Sequence, residues 1–194
     1  MMKKQSIIIL KITFFKQIRS LFFFLLFSFG WAGFYYYFFK DADFSNAPLL
    51  TTNGIIILIV VGGFLVFITS PALFFHIDYL IRNRHEEYEI GNKKIIRRKK
   101  GMESIYHVED IEDIYLYLFP TKFRNDFHIW AFDNYHFAKI VMKSSEVLYL
   151  TSLLYPSGIE KILDKYVKKS YWFEKRLFPT TLYCPTTHDK DNLS

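Results

Sequence analysis

The strongest constraint on this chain is a pair of long stretches without a charged side chain: LFFFLLFSFGWAGFYYYFF over residues 21–39 and GIIILIVVGGFLVFITSPALFFHI over 54–77. At ~1.5 Å of rise per residue, a helix through either run covers about 30 Å, the depth of a bilayer's hydrocarbon core. Lys40 and Asp41 stop the first run, and Asp78 stops the second. The first is too long for a secretory leader and has no convincing small-residue cleavage site. The pattern therefore predicts an α+β membrane protein with an N-terminal transmembrane helical hairpin. A basic segment (1–19) precedes a first spanning helix (20–40), a short external loop (41–53) and a second spanning helix (54–79).

Charge sets the expected orientation. Lys3, Lys4, Lys11, Lys16 and Arg19 precede the first run, Lys40 alone lies between the runs, and eight Lys and Arg follow the second by residue 100. The positive-inside bias then puts both termini in the cytoplasm and the protein in the plasma (inner) membrane. The formal charge of +6 sits mostly beside the apolar runs, which argues against a nucleic-acid partner. Neither run holds an ionisable residue deep inside, so the hairpin reads as an anchor rather than a transport pathway. Residues 5–19, apolar with scattered cations, either lie along the membrane surface or extend the first helix. Cys184 is the single cysteine, which excludes an intramolecular disulfide and a multi-cysteine zinc site.

From residue 80 to 178 the pattern changes to short apolar runs separated by turn residues. It predicts seven strands: 86–90, 93–98, 103–108, 112–119, 127–132, 136–142 and 146–151. In the fourth, Ile114, Leu116 and Leu118 share one face while Tyr115, Tyr117 and Phe119 share the other. One face builds a core; the aromatic face is either covered by another element or is an interaction surface. A helix closes the domain, with Ser157 and Glu160 at capping-box spacing and Ile159, Ile162, Leu163, Tyr166 and Val167 as its apolar stripe. The segment 170–178 is aromatic and packs back on the domain or on a membrane interface. Residues 179–194 are expected to form a flexible tail.

The order of two apolar helices, the stretch from Tyr88 through KKIIRRKKG, VEDIEDI at 108–114 and a late helix after TSLLYP at 151–156 resembles bacterial two-span membrane proteins with a PH-like domain. The resemblance covers roughly residues 20–178. It implies a mostly antiparallel, seven-stranded PH-like barrel capped by a C-terminal helix, and no catalytic activity. PH domains often bind lipid headgroups through a basic first hairpin, and the basic hairpin here has a similar position.

Two candidate binding surfaces follow. One is the cationic cluster Lys93, Lys94, Arg97, Arg98, Lys99 and Lys100, where each cation near an anionic leaflet contributes about 1 kcal/mol. The other is the aromatic set Tyr115, Tyr117 and Phe119. His128, Asp133 and His136, near Asp126, form the one constellation with metal-binding or acid–base residue types, although Asp and Asn also serve the turn itself. No phosphate-binding glycine loop, dinucleotide fingerprint or nucleophile elbow is present. No cofactor, metal site or enzymatic activity is expected. The reading is a membrane-anchored, non-catalytic interaction module contacting a protein partner, anionic lipid headgroups or both. The alternative is an accessory subunit of a larger membrane transport or envelope complex, bound to another membrane protein.

Overall fold

The computed structural model describes residues 7–39, 52–91, 93–121 and 132–182. The order is β1 (Ile8–Lys11), α1 (Phe14–Phe39), α2 (Thr52–Asn83), β2 (Glu86–Gly91), β3 (Lys94–Lys99), β4 (Met102–His107), β5 (Ile111–Leu118), β6 (Phe137–Met142), β7 (Val147–Thr151), α3 (Ile159–Ile162) and β8 (Trp172–Lys175). A single π-helical turn, Leu163–Val167, continues α3. The strands form two four-stranded sheets, ordered β1-β2-β3-β4 and β7-β6-β5-β8. All pairings are antiparallel except β5 with β8.

The main core lies between the sheets. It gathers Leu10, Tyr88, Ile90, Ile95, Ile114, Leu116, Ile140 and Leu148, and α3 closes it with Ile159, Ile162, Leu163 and Val167. The alternation read in β5 is therefore realised, with Ile114, Leu116 and Leu118 facing this core. Tyr115 and Tyr117 face the opposite way, into a second cluster with Phe137, Val141, Tyr135 and Leu153. Ala72, Phe75 and Tyr79 of α2 cover that face. Aromatic rings dominate the contact: Tyr117 stacks on Phe137 at 4.6 Å between centroids, and Tyr79 meets Phe137 edge-on at 6.0 Å.

This packing corrects the expected transmembrane hairpin. Among the described residues, no helix is long and apolar enough to cross a membrane. The prediction of an integral plasma-membrane protein with two spans falls with it. The apolar runs belong to longer helices, and the last third of α2 packs on the sheet β7-β6-β5-β8. Helix α1 starts at Phe14 and so carries Lys16 and Arg19 in its first turns. Lys16 Nζ donates to the carbonyls of Lys11 (2.8 Å) and Leu154 (2.6 Å). Helix α2 continues through Asp78 to Asn83, and its last third contributes Ala72, Phe75 and Tyr79 to the core. Residues 40–51, which include most of the expected external loop, lie outside the described residues.

Three further expectations change. Residues 8–11 form a strand, not an interfacial helix or a helical extension: Ile8 pairs with Ile90 and Leu10 with Tyr88, so α1 and α2 are inserted between two neighbouring strands of one sheet. Ser157 does not cap α3. The N-cap is Gly158, at φ 112°, and no side chain caps the helix there. A Cβ at that position would come within 2.2 Å of the Glu160 carboxylate, so the backbone needs glycine. Finally, the expected strand over 127–132 falls almost wholly on residues that are not described.

The start of the expected tail is also held in place. Asp78, buried on α2, accepts hydrogen bonds from Thr180 Oγ1 (2.8 Å), Thr181 N (2.8 Å) and Thr181 Oγ1 (2.6 Å). Tyr79 donates its hydroxyl to the Pro179 carbonyl at 2.5 Å. With β8, these contacts lay residues 172–182 as a strap along β5 and α2. Asp78→Ala removes the shared acceptor and is expected to cost about 2 kcal/mol locally. Amide exchange should accelerate at Thr181 and its neighbours while the β5–β6 ladder keeps its protection. Uniform protection across the strap would show that Asp78 does not hold it.

Candidate interaction site

The basic cluster occupies the β2–β3 and β3–β4 hairpins. Positive φ at Lys100 (50°) and Gly101 (82°) gives the mirror-image turn that matches strand twist in a tight hairpin. Pairing then decides the fate of each cation. Glu86 lies opposite Lys99, Glu87 opposite Arg98, and Tyr88 opposite Arg97. Arg97 and Lys99 therefore share the Glu86 and Tyr88 face, at one end of the space between the sheets, while Arg98 projects from the other face.

Glu86 is the hub. Its carboxylate accepts from Asn83 Nδ2 (3.0 Å), Tyr88 OH (2.7 Å), Lys99 Nζ (2.9 Å) and Arg97 Nη2. Burial alone pushes its pKa up, but the hydrogen bonds from Tyr88, Arg97 and Lys99 and the charge of Arg97 outweigh it and bring the group down to about 2. Arg97 reaches a second carboxylate, Glu146, at 3.4 Å. Arg98 is shared among Glu87 (3.4 Å), Glu89 (2.9 Å) and Glu103 (2.9 Å). Lys93 pairs with Glu109 at 3.7 Å, both well exposed.

Half of the sequence cluster is thus neutralised by cross-strand carboxylates. Lys94 and Lys100 are exposed, at opposite ends of β3, about 20 Å apart at the usual strand rise. They do not form one patch. The aromatic set is likewise not an open surface. Tyr115, Tyr117 and Phe119 are 8%, 3% and 8% exposed: Tyr115 and Tyr117 lie in the cluster that α2 covers, with the Arg176 guanidinium 4.8 Å above the Tyr117 ring, and Phe119 meets Phe132 edge-on at 5.2 Å.

The pattern-based reading missed a cleft of about 250 Å³ at the corner between α2 and β2, bounded by the β3–β4 turn. Lys11, Arg84, Arg98 and Lys100 supply its cations, with His85 beside them and Glu86 and Glu87 in its wall. Arg84, His85 and Lys100 are exposed and carry no ion pair with a described residue. The signal was present in RNRH at 82–85, but these residues read as flank of a membrane helix and not as part of a pocket.

The histidine constellation resolves differently. His136 is fully buried, and its Nδ1 lies 2.8 Å from the Asn134 carbonyl. A carbonyl oxygen only accepts, so Nδ1 carries the proton and Nε2 accepts from Ile159 N at 3.4 Å. The ring thereby satisfies the first free amide of α3, the task expected of Ser157. Asp133 is also buried. His128 and Asp126 lie outside the described residues. Among the described residues, no group of three or more His, Cys, Asp or Glu side chains is arranged to hold a metal ion.

The resemblance implied a seven-stranded barrel capped by a C-terminal helix; the described residues form two four-stranded sheets with α3 packed against the core between them. A family model described as PH domain matches residues 9–159, from β1 to the start of α3. The chain belongs to the PH domain family. The match spans the helical insertion as well as the strands on either side of it. No curated protein matches the chain, and no solved structure matches it. Members of the PH domain family are generally non-enzymatic interaction modules that commonly bind lipids or proteins.

Proposed function

We propose that this PH domain is a non-catalytic interaction module that contacts anionic lipid headgroups through the cleft at the α2–β2 corner. The observation that carries the reading is the presence of Arg84 and Lys100 at the rim, exposed and without a carboxylate partner among the described residues, where most neighbouring cations are already paired. Lys11 and Arg98 stand behind them, each shared with Glu87 (3.6 and 3.4 Å). Paired cations have little left to offer a ligand, so contact with an acidic surface falls to the two rim residues. The buried aromatic face of β5 serves the core and takes no part.

The test compares binding of the full chain to phosphatidylcholine vesicles with and without phosphatidylserine. At about 1 kcal/mol for each surface cation, Arg84→Gln with Lys100→Gln should lower the anionic-over-neutral preference by roughly 30-fold. Raising salt should weaken the wild-type preference as well. An unchanged preference in the double variant, or no wild-type preference at all, would remove lipid headgroups as the partner.

A further inference from the structure

Helix α2 has a second face that the sheet does not use. Ala72, Phe75 and Tyr79 face the aromatic cluster on the sheet. At about 3.6 residues per turn, Phe67, Phe74, Ile77 and Ile81 form a row on the opposite side of the helix. All four are exposed, Phe67 by 73% and Ile81 by 71%. The row leads on to Arg84, the residue after the helix ends, which lines the cleft at the α2–β2 corner.

The chemistry of this side is one-sided. Asp78 is the one acidic residue in the sequence between Thr52 and Arg84, and its carboxylate is held by Thr180 and Thr181 of the strap. Arg82 is committed as well, its guanidinium 3.7 Å above the Tyr149 ring. Arg84 is exposed and makes no ion pair with a described residue. Next to Asp78 the strap adds apolar surface, since Phe178 and Leu182 are exposed. A second copy of α2 would bring apolar side chains to this row but no carboxylate for Arg84. An anionic bilayer brings acyl chains and, just outside them, phosphates.

We propose that the last third of α2 lies along the surface of an anionic bilayer, with Phe67, Phe74, Ile77 and Ile81 inserted between headgroups and acyl chains while Arg84 meets a headgroup phosphate. The helix does not cross. Its inner face stays on the sheet, and only the outer row enters, to the ~5–10 Å usual for a helix lying in the interface. Insertion rests on the headgroup contact proposed for the corner cleft, which brings the row to the surface. The two contributions differ in kind: salt screens the cations, whereas burial of apolar side chains needs no charge. Each can therefore be removed without the other.

The full chain with Ile81→Cys in a Cys184→Ser background is labelled with the environment-sensitive dye NBD and mixed with phosphatidylcholine vesicles containing phosphatidylserine. Its emission should shift to the blue, and lipid carrying a nitroxide on the acyl chain should quench it. In the otherwise native chain, Ile77→Ala with Ile81→Ala should weaken binding to these vesicles by at least about tenfold, through lost apolar burial. Both positions are exposed, so the pair should not unfold the chain. An unquenched probe, or undiminished binding by the alanine pair, would overturn insertion, and the headgroup contact would still stand if binding required phosphatidylserine. A probe quenched equally on vesicles without phosphatidylserine would remove the headgroup contact and leave insertion supported. Light scattering without lipid tests the other occupant: a dimer that the alanine pair converts to monomer would show that the row joins two copies of the chain, and would overturn the proposal.

Discussion

Replacing Glu86 with alanine is expected to destabilise the protein by about 3–5 kcal/mol, the cost of leaving a buried cation without its partner. Arg97 keeps a link to Glu146 at 3.4 Å, and Lys99 is half exposed, so the lower end of that range applies. Glu86→Gln retains oxygen and nitrogen for the surrounding network but removes the charge, and a smaller loss should follow. The pH dependence gives an independent check. The folded-state pKa of Glu86 is about 2, against 4.5 for the free side chain. Depressed below its unfolded value, the carboxyl contributes stability that is fully present above about 4.5 and lost as pH falls toward 2. The shift corresponds to on the order of 3 kcal/mol. Chemical denaturation of the full chain between about pH 6 and 2.5 should therefore show the advantage of wild type over Glu86→Gln shrinking as acid is added. A gap that stayed constant with pH would mean that Glu86 is not held ionised by this network.

The same residues show what could be read in advance. Strands β2 to β7 fall within a residue or two of their expected places because each carries either period-two alternation or a turn signal beside it. The stretch from Glu86 to Lys100 contains an ion-pairing code that only the register reveals: with Gly91 opposite Lys94, Glu86 and Glu87 lie opposite Lys99 and Arg98, whereas a turn centred on Gly91-Asn92 would put Glu86 opposite Arg97. Counting cations without folding the hairpin made a binding patch of residues that neutralise one another. Strand β1 was hidden for a different reason. Its partner, β2, lies beyond two long helices, so no local turn announces the pairing, and IIILK beside lysines looks like membrane flank. Strand β8 gave no alternation to detect, since Trp172 and Phe173 stay largely exposed and its hold on β5 is through the backbone. The contact between Asp78 and Thr180 and Thr181 joins residues about a hundred positions apart, beyond any periodicity argument. For the apolar helices, length and lack of charge gave no sign that Ala72, Phe75 and Tyr79 would face an aromatic sheet.

That sheet face supplies the other large effect. Phe137 is fully buried where β6 passes under α2, stacked on Tyr117 and flanked by Tyr79 and by Tyr149 at 6.1 Å. Phe137→Ala removes the ring that joins the helix to the sheet, and the rigid neighbours around it cannot all close the gap. The expected loss is about 3–5 kcal/mol, transfer and cavity contributions together. Phe137→Leu keeps apolar volume and should cost clearly less. Phe178 provides the contrast: it touches Phe75 at 6.1 Å but is 59% exposed, so its truncation should change stability by roughly 0.5 kcal/mol or less. If α2 only lay loosely on the domain, Phe137→Ala and Phe178→Ala would behave alike in denaturant. Well-separated midpoints, with the Phe137 variant far lower, are the result required if the last third of α2 is a layer of the PH domain.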